Sequence, residues 1–329
     1  MSGDIREKLK AFKGDNIVWI FILTILLYFG LSILTNSLVY NLTERMDVSD
    51  AAVRFANENY TYTIGSVILF VLVCLAVKKD RFILRSTLPA GTGKDHKILV
   101  PEDTYEAPQN NTAKTFLLGI IIGFVSIFFC IACALVHGDI KLYYDFSAAQ
   151  IPGMIYAFVM VLFQGSSEEL WCRGFMYERL NIRYPLWVAI LVNGSFFGLM
   201  HCFNEGATVF AVAALVISGI EFSFLKWYTG SIWTAMASHT MWNFTQNFLF
   251  GLPNSGLVSE ASVLHLDAAN GVSNLIYDYA FGVEGAIPSL LADLIIITVI
   301  LLLAKKKGRL KELHMSYEKT KALEAAEIV

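Results

Sequence analysis

The run Gly165-Ser-Ser-Glu-Glu-Leu-Trp-Cys-Arg-Gly174 sets two adjacent carboxylates and an arginine inside an apolar stretch that begins near Ile151 and resumes after Arg183. A charge near a bilayer centre costs about 2.5 to 3.5 kcal/mol on insertion scales, so each of these needs a partner or a purpose. On a helix Glu169 and Arg173 stand at i and i+4, share a face and pair. Glu168 then points about 100° away, with no cation nearby in the sequence to answer it. One carboxylate is explained by structure, and the other is left for chemistry.

Later apolar stretches carry the remaining candidates. His201 lies in Phe197-Gly-Leu-Met-His201 with Asn204 one turn on, and His239 and Asn243 share a helical face in His239-Thr-Met-Trp-Asn243. At about 1.5 Å per helical residue, Glu168 and His201 lie roughly 22 and 27 Å from Arg183, and His239 roughly 20 Å from Lys226. These depths allow one shared layer. A poorly solvated Glu168 suits a general base that activates water together with His201. His239 and Asn243 suit donors to a developing oxyanion, each worth perhaps 3 to 4 kcal/mol. A serine or cysteine nucleophile fits less well, because Ser195 has no positioned base in its sequence neighbourhood and Cys202 points off the His201 face.

The elements that must position these groups are membrane helices. Hydrophobic residues make up 56% of the 329 residues and charged residues 16%, which excludes an ordinary soluble domain. The expected fold is all-α, a polytopic membrane helical bundle of about eight spans. The spans are placed near 16–40, 61–77, 115–136, 151–180, 185–203, 208–228, 231–250 and 287–304. Residues 41–60 and 251–286 read as polar loops, and 80–113 as an irregular one. Lys and Arg cluster before Asn16, across 78–114 and 173–183, at Lys226 and after Ala304, and are absent from 251–286, so both termini are expected on the cytoplasmic side. Glu221, near Lys226, reads as interfacial, and Asp278 and Glu284 as solvated. The five cysteines read as small buried hydrophobes, and the net charge of −3 gives no reason to expect nucleic acid.

The motifs Glu168-Glu169-xxx-Arg173, Phe197-xxx-His201 and His239-xxx-Asn243, with Thr229-Gly-Ser-Ile-Trp233 before the third, resemble the CAAX-processing and bacteriocin-processing intramembrane protease family. The resemblance covers roughly residues 150–250. It implies a membrane-embedded endopeptidase in which Glu168 and His201 activate water, His239 and Asn243 form the oxyanion site, and Glu169 and Arg173 support the architecture. No cofactor is expected, since the family's better reading is glutamate-based and metal-free. The implied division is an N-terminal region 1–145, a protease core 146–255 and a C-terminal region 256–329. Expected partners are the lipid bilayer and a peptide or membrane-protein substrate, in a bacterial plasma membrane. The nearest rival is a zinc peptidase using Glu168, His201 and His239, which the absence of HExxH and the poor ligand quality of Asn disfavour. A non-catalytic immunity or scaffold protein and a proton-coupled transporter are the alternatives from other classes.

Overall fold

The computed structural model describes residues 16–43, 50–76, 112–268 and 271–316. The basic ends at 1–15 and 78–81, almost all of the 80–113 loop and the tail from 317 lie outside the described residues. Helices dominate: α1 (Ile17–Thr43), α2 (Ala51–Tyr60), α3 (Tyr62–Ala76), α4 (Thr112–His137), α5 (Ile151–Glu169), α6 (Tyr177–Arg183), α7 (Leu186–Leu199), α8 (Val209–Thr229), α9 (Ile232–Phe244) and α10 (Ile287–Lys306). Among the described residues four helical segments are long and apolar enough to cross a membrane, Thr112–His137, Ala148–Arg183, Val209–Thr229 and Ile287–Lys306. The α2–α3 pair, bent by 40°, makes a fifth if it is one span. Unburied Leu117, Ile121 and Val125 on α4 and Leu291, Ile295 and Val299 on α10 form apolar faces that suit lipid. The chain is an integral membrane protein.

Several of the other expected spans are not single long helices. Helix α7 has 14 residues, about 21 Å of helix, and His201 sits in the turn beyond it. Helix α9 ends at Phe244 and continues as a π-helical turn, Thr245–Leu249, so 231–250 is not one regular span. The stretch 41–60, read as polar loop, contains α2. Asp50 caps it by accepting from the Ala52 and Val53 amides at 2.9 and 3.1 Å. Its Ala52, Ala56 and Tyr60 face packs with Met154, Ala157 and Val161 of α5.

Residues beyond the helices also depart from the loop reading. Strand β1 (Ile140–Tyr144) pairs antiparallel with β2 (Leu264–Ala268), in the register Ile140 to Ala268. Asp278 is buried and its Oδ1 accepts from the Ala280 and Phe281 amides at 3.0 and 3.1 Å. Glu284 is buried too, accepting from Gln246 Nε2 at 2.5 Å, Ser255 Oγ at 2.7 Å and the Ser255 amide. Both were expected in water; segment 251–286 instead folds back on the helix ends. Arg309 and Glu312 of the charged tail are likewise buried, pairing at 2.9 Å against Trp227. Cys202 is exposed, unlike the small buried hydrophobe expected there.

Burial pushes the Glu284 carboxyl above its usual range despite its donors. The folded chain therefore holds that proton more tightly than the unfolded chain, whose value is near 4.3. Its contribution is favourable at low pH and falls as pH rises from that value through the raised one. Melting temperature plotted against pH is expected to fall across this window in the wild type and to fall less in Glu284→Gln.

Two close helix contacts fix the core around the charged residues. Gly119 and Gly123 of α4 meet α9: a Cβ would stand 2.2 Å from the Thr234 carbonyl oxygen at the first and 2.3 Å from that of Ser238 at the second. Gly194 and Gly198 of α7 meet α8 in the same way, near Ile220 and Val216. Both pairs have the G-x-x-x-G spacing that lets membrane helices approach backbone to backbone. Since Ser238 precedes His239, Gly123→Ala is expected to displace the histidine. We expect a stability loss of about 1 to 3 kcal/mol and a drop in activity larger than the melting temperature accounts for.

Candidate active site

The segment Thr229-Gly-Ser-Ile-Trp233 is the joint that brings α8 against α9. Gly230 adopts φ +65°, the left-handed conformation that closes α8, and Ser231 caps α9 by accepting from the Trp233 amide at 3.3 Å. Phe222 lies eight residues before Gly230 and His239 eight after Ser231, each about 12 Å along its helix from the turn. Their rings accordingly stack, with centroids 5.2 Å apart and planes at 17°.

Glu169 is fully buried and acts as a hub. Its Oε1 accepts from Arg173 Nη1 and from His239 Nδ1, both at 3.1 Å. The Arg173 guanidinium also donates to the Gly219 carbonyl at 2.6 Å and lies 4.6 Å from the Phe197 ring centroid and 5.3 Å from that of Phe222. The ion pair anticipated at i and i+4 is present, with both side chains at 0% exposure. It does more than neutralise charge, because the same carboxylate oxygen orients His239.

The backbone widens where this pair is built. After Glu169 the chain forms a π-helical turn, Leu170–Met176, before α6. Such turns leave carbonyls out of the regular ladder and recur at functional sites. Here the carbonyls of Cys172 and Arg173 accept from the Asn193 and Lys226 side chains, and Lys226 also pairs with Glu178 at 2.5 Å. Trp171 donates to Ser66 of α3 at 2.9 Å. Three elements, α3, α7 and α8, thus grip the turn that carries Arg173.

Glu168 faces the other way, and its two oxygens differ. Oε1 accepts from Gln164 Nε2 at 2.6 Å, while Gln164 Oε1 accepts from Asn243 at 2.8 Å. Oε2 is buried with no hydrogen-bond partner and stands 4.0 Å from His239 Nε2. That separation is too long for a direct bond and leaves Oε2 available as an acceptor. His201 is turned by its own motif: Nδ1 donates to the Phe197 carbonyl at 2.9 Å, which leaves Nε2 as the ring's acceptor. Phe197 also meets His239 edge-on at 5.7 Å. Among the described residues, no three His, Cys, Asp or Glu side chains are arranged to hold a metal ion.

Glu168, His201, His239 and Asn243 all line one cavity of about 410 Å³. Its walls include Tyr28, Tyr60 and Tyr62 on one side and Asn254, Ser255 and Gly256 of the 251–286 segment on another. Gly256 has φ +88°, and a Cβ there would lie 2.2 Å from the Glu205 carbonyl oxygen, so that wall requires glycine. Glu221 also lines the cavity and is 3% exposed, which corrects its interfacial reading. Its depth misled because Lys226 is itself buried, not marking the headgroup layer.

The sequence reading missed Gln164, which ties Asn243 to Glu168, and Phe222, which supports both His239 and Arg173. Gln164 was findable, being a polar residue one turn before Glu168 in an apolar run. Residues 150–245 match the family described as type II CAAX prenyl endopeptidase Rce1-like. No curated protein and no solved structure matches the chain. The matched stretch runs from α5 to the end of α9 and holds every motif residue of the site, so over residues 150–245 the chain is similar to the CAAX-type prenyl endopeptidases.

Proposed function

We propose that the protein is a glutamate-type intramembrane endopeptidase that hydrolyses peptide bonds of a peptide or membrane-protein substrate in a bacterial plasma membrane. The observation that carries this reading is the buried, unpartnered Glu168 Oε2, facing His239 Nε2 across 4.0 Å in a cavity shared with His201 and Asn243. A water in that gap gives one proton to Glu168 Oε2 and the other, as a hydrogen bond, to His201 Nε2. Its oxygen attacks the peptide carbonyl carbon. The carbonyl oxygen becomes an oxyanion that accepts from Asn243 Nδ2 and from His239 Nε2 in the imidazolium form, whose Nδ1 donates to Glu169. Collapse of the tetrahedral intermediate breaks the C–N bond, and Glu168 returns its proton to the leaving amine. The products are a carboxylic acid and an amine, and Glu168 ends as it began.

Asn243 in this scheme serves the transition state more than the ground state. Asn243→Ala is expected to lower kcat about 100-fold with KM little changed. Purified protein should keep its activity after exhaustive treatment with a zinc chelator. Loss of activity on chelation, restored by added zinc, would favour the zinc peptidase instead.

A further inference from the structure

The cavity has a second polar end that the hydrolytic scheme does not use. Glu221 of α8 and Asp293 of α10, both 3% exposed, line it. Ser218 Oγ donates to Asp293 Oδ2 at 2.5 Å, which by itself ties α8 to α10. Glu221 Oε1 is buried with no hydrogen-bond partner. A carboxylate oxygen left bare at this depth weakens a structural contact, which a serine or asparagine would make at lower cost. No ion pair reaches either acid among the described residues. The nearby Arg173 is held by Glu169 and the Gly219 carbonyl.

The rest of the cavity is rich in acids. Glu168, Glu205, Glu221, Glu284 and Asp293 lie on its walls, and among the described residues no Lys or Arg does. A space rich in acids concentrates cationic groups. The dyad is also close to the chemistry, because Phe222, next to Glu221, stacks on His239 at 5.2 Å.

Resting on the endopeptidase reading above, we propose that Glu221 and Asp293 form a specificity subsite that receives a lysine or arginine side chain of the substrate. An ammonium group offers three donors, and a guanidinium five, to the bare Glu221 Oε1 and its neighbours. Occupation would set the register of the peptide, placing one bond over Glu168 at a fixed distance from the basic residue.

Two measurements test this, one of them independent of catalysis. The melting temperature of detergent-purified protein is followed in rising n-butylammonium chloride, n-butanol or sodium chloride. A saturable rise with n-butylammonium alone, absent in Glu221→Gln/Asp293→Asn, is expected. Equal responses of the wild type to all three additives overturn the subsite without recourse to any variant. A proteome-derived peptide library is then incubated with wild type and double variant, and new termini are read by mass spectrometry. Cleavage with Lys or Arg enriched at one fixed position, and about a tenfold loss of that enrichment in the variant, is the expected result. Cleavage with no basic preference overturns the subsite and leaves the endopeptidase reading standing. An uncleaved library overturns the endopeptidase reading, and the n-butylammonium result alone then decides whether the dyad binds cations.

Discussion

Replacing Glu168 by glutamine is expected to lower peptide hydrolysis about a thousandfold, within the range that general acid–base catalysis supplies. The amide keeps the shape of the side chain and can accept from Gln164 Nε2 through its oxygen, so the Gln164–Asn243 tether survives. The nitrogen then occupies the Oε2 position, facing His239 Nε2, where an acceptor for the water proton is required. Kinetically the loss should fall on kcat, because an unpartnered oxygen contributes little to holding the substrate. The melting temperature should stay level or rise, since a buried charge has been removed. A fall in melting temperature with kcat preserved would make Glu168 a structural residue.

Glu169 predicts a different pattern, because its carboxylate serves two partners. Glu169→Ala leaves Arg173 charged and fully buried with its main counter-charge gone, and breaking such a pair costs about 3 to 5 kcal/mol. Cavity formation adds to this, so poor membrane accumulation is the expected result. The double variant Glu169→Met/Arg173→Met removes both charges together, and exchange of a buried pair for apolar residues of similar volume is often neutral or stabilising. It is expected to recover the melting temperature and to remain inactive, because His239 Nδ1 has lost the acceptor that orients it. Recovery of stability and activity together would show that the pair is a structural ion bridge alone.

The geometry within each motif was legible in the sequence because it is local on each helix. Spacing of four residues places Glu169 with Arg173, and the pair appears as read. The opposite direction of Glu168 also follows from the 100° step, although its partner Gln164 was passed over. Convergence of the three motifs could be anticipated only as a matter of depth; the stacking of Phe222 on His239 and the turn at Gly230 make it specific. The span count was less legible. Composition cannot tell an apolar run that forms one long helix from one that, like 185–203, forms a 14-residue helix followed by a turn. Glu221 and Glu284 were misplaced for a related reason: a carboxylate beside a basic residue or in a long polar segment reads as wet, and only packing shows otherwise. The two G-x-x-x-G pairs were visible signals left unread, and they name the helix faces that meet.

The most direct test compares peptide termini, by mass spectrometry, in membranes carrying wild type, Glu168→Gln or His239→Ala, each checked for equal accumulation. The proposed chemistry predicts new termini with the wild type that are absent from both variants. Identical profiles from all three would contradict it, and a non-catalytic membrane partner would then be the better reading.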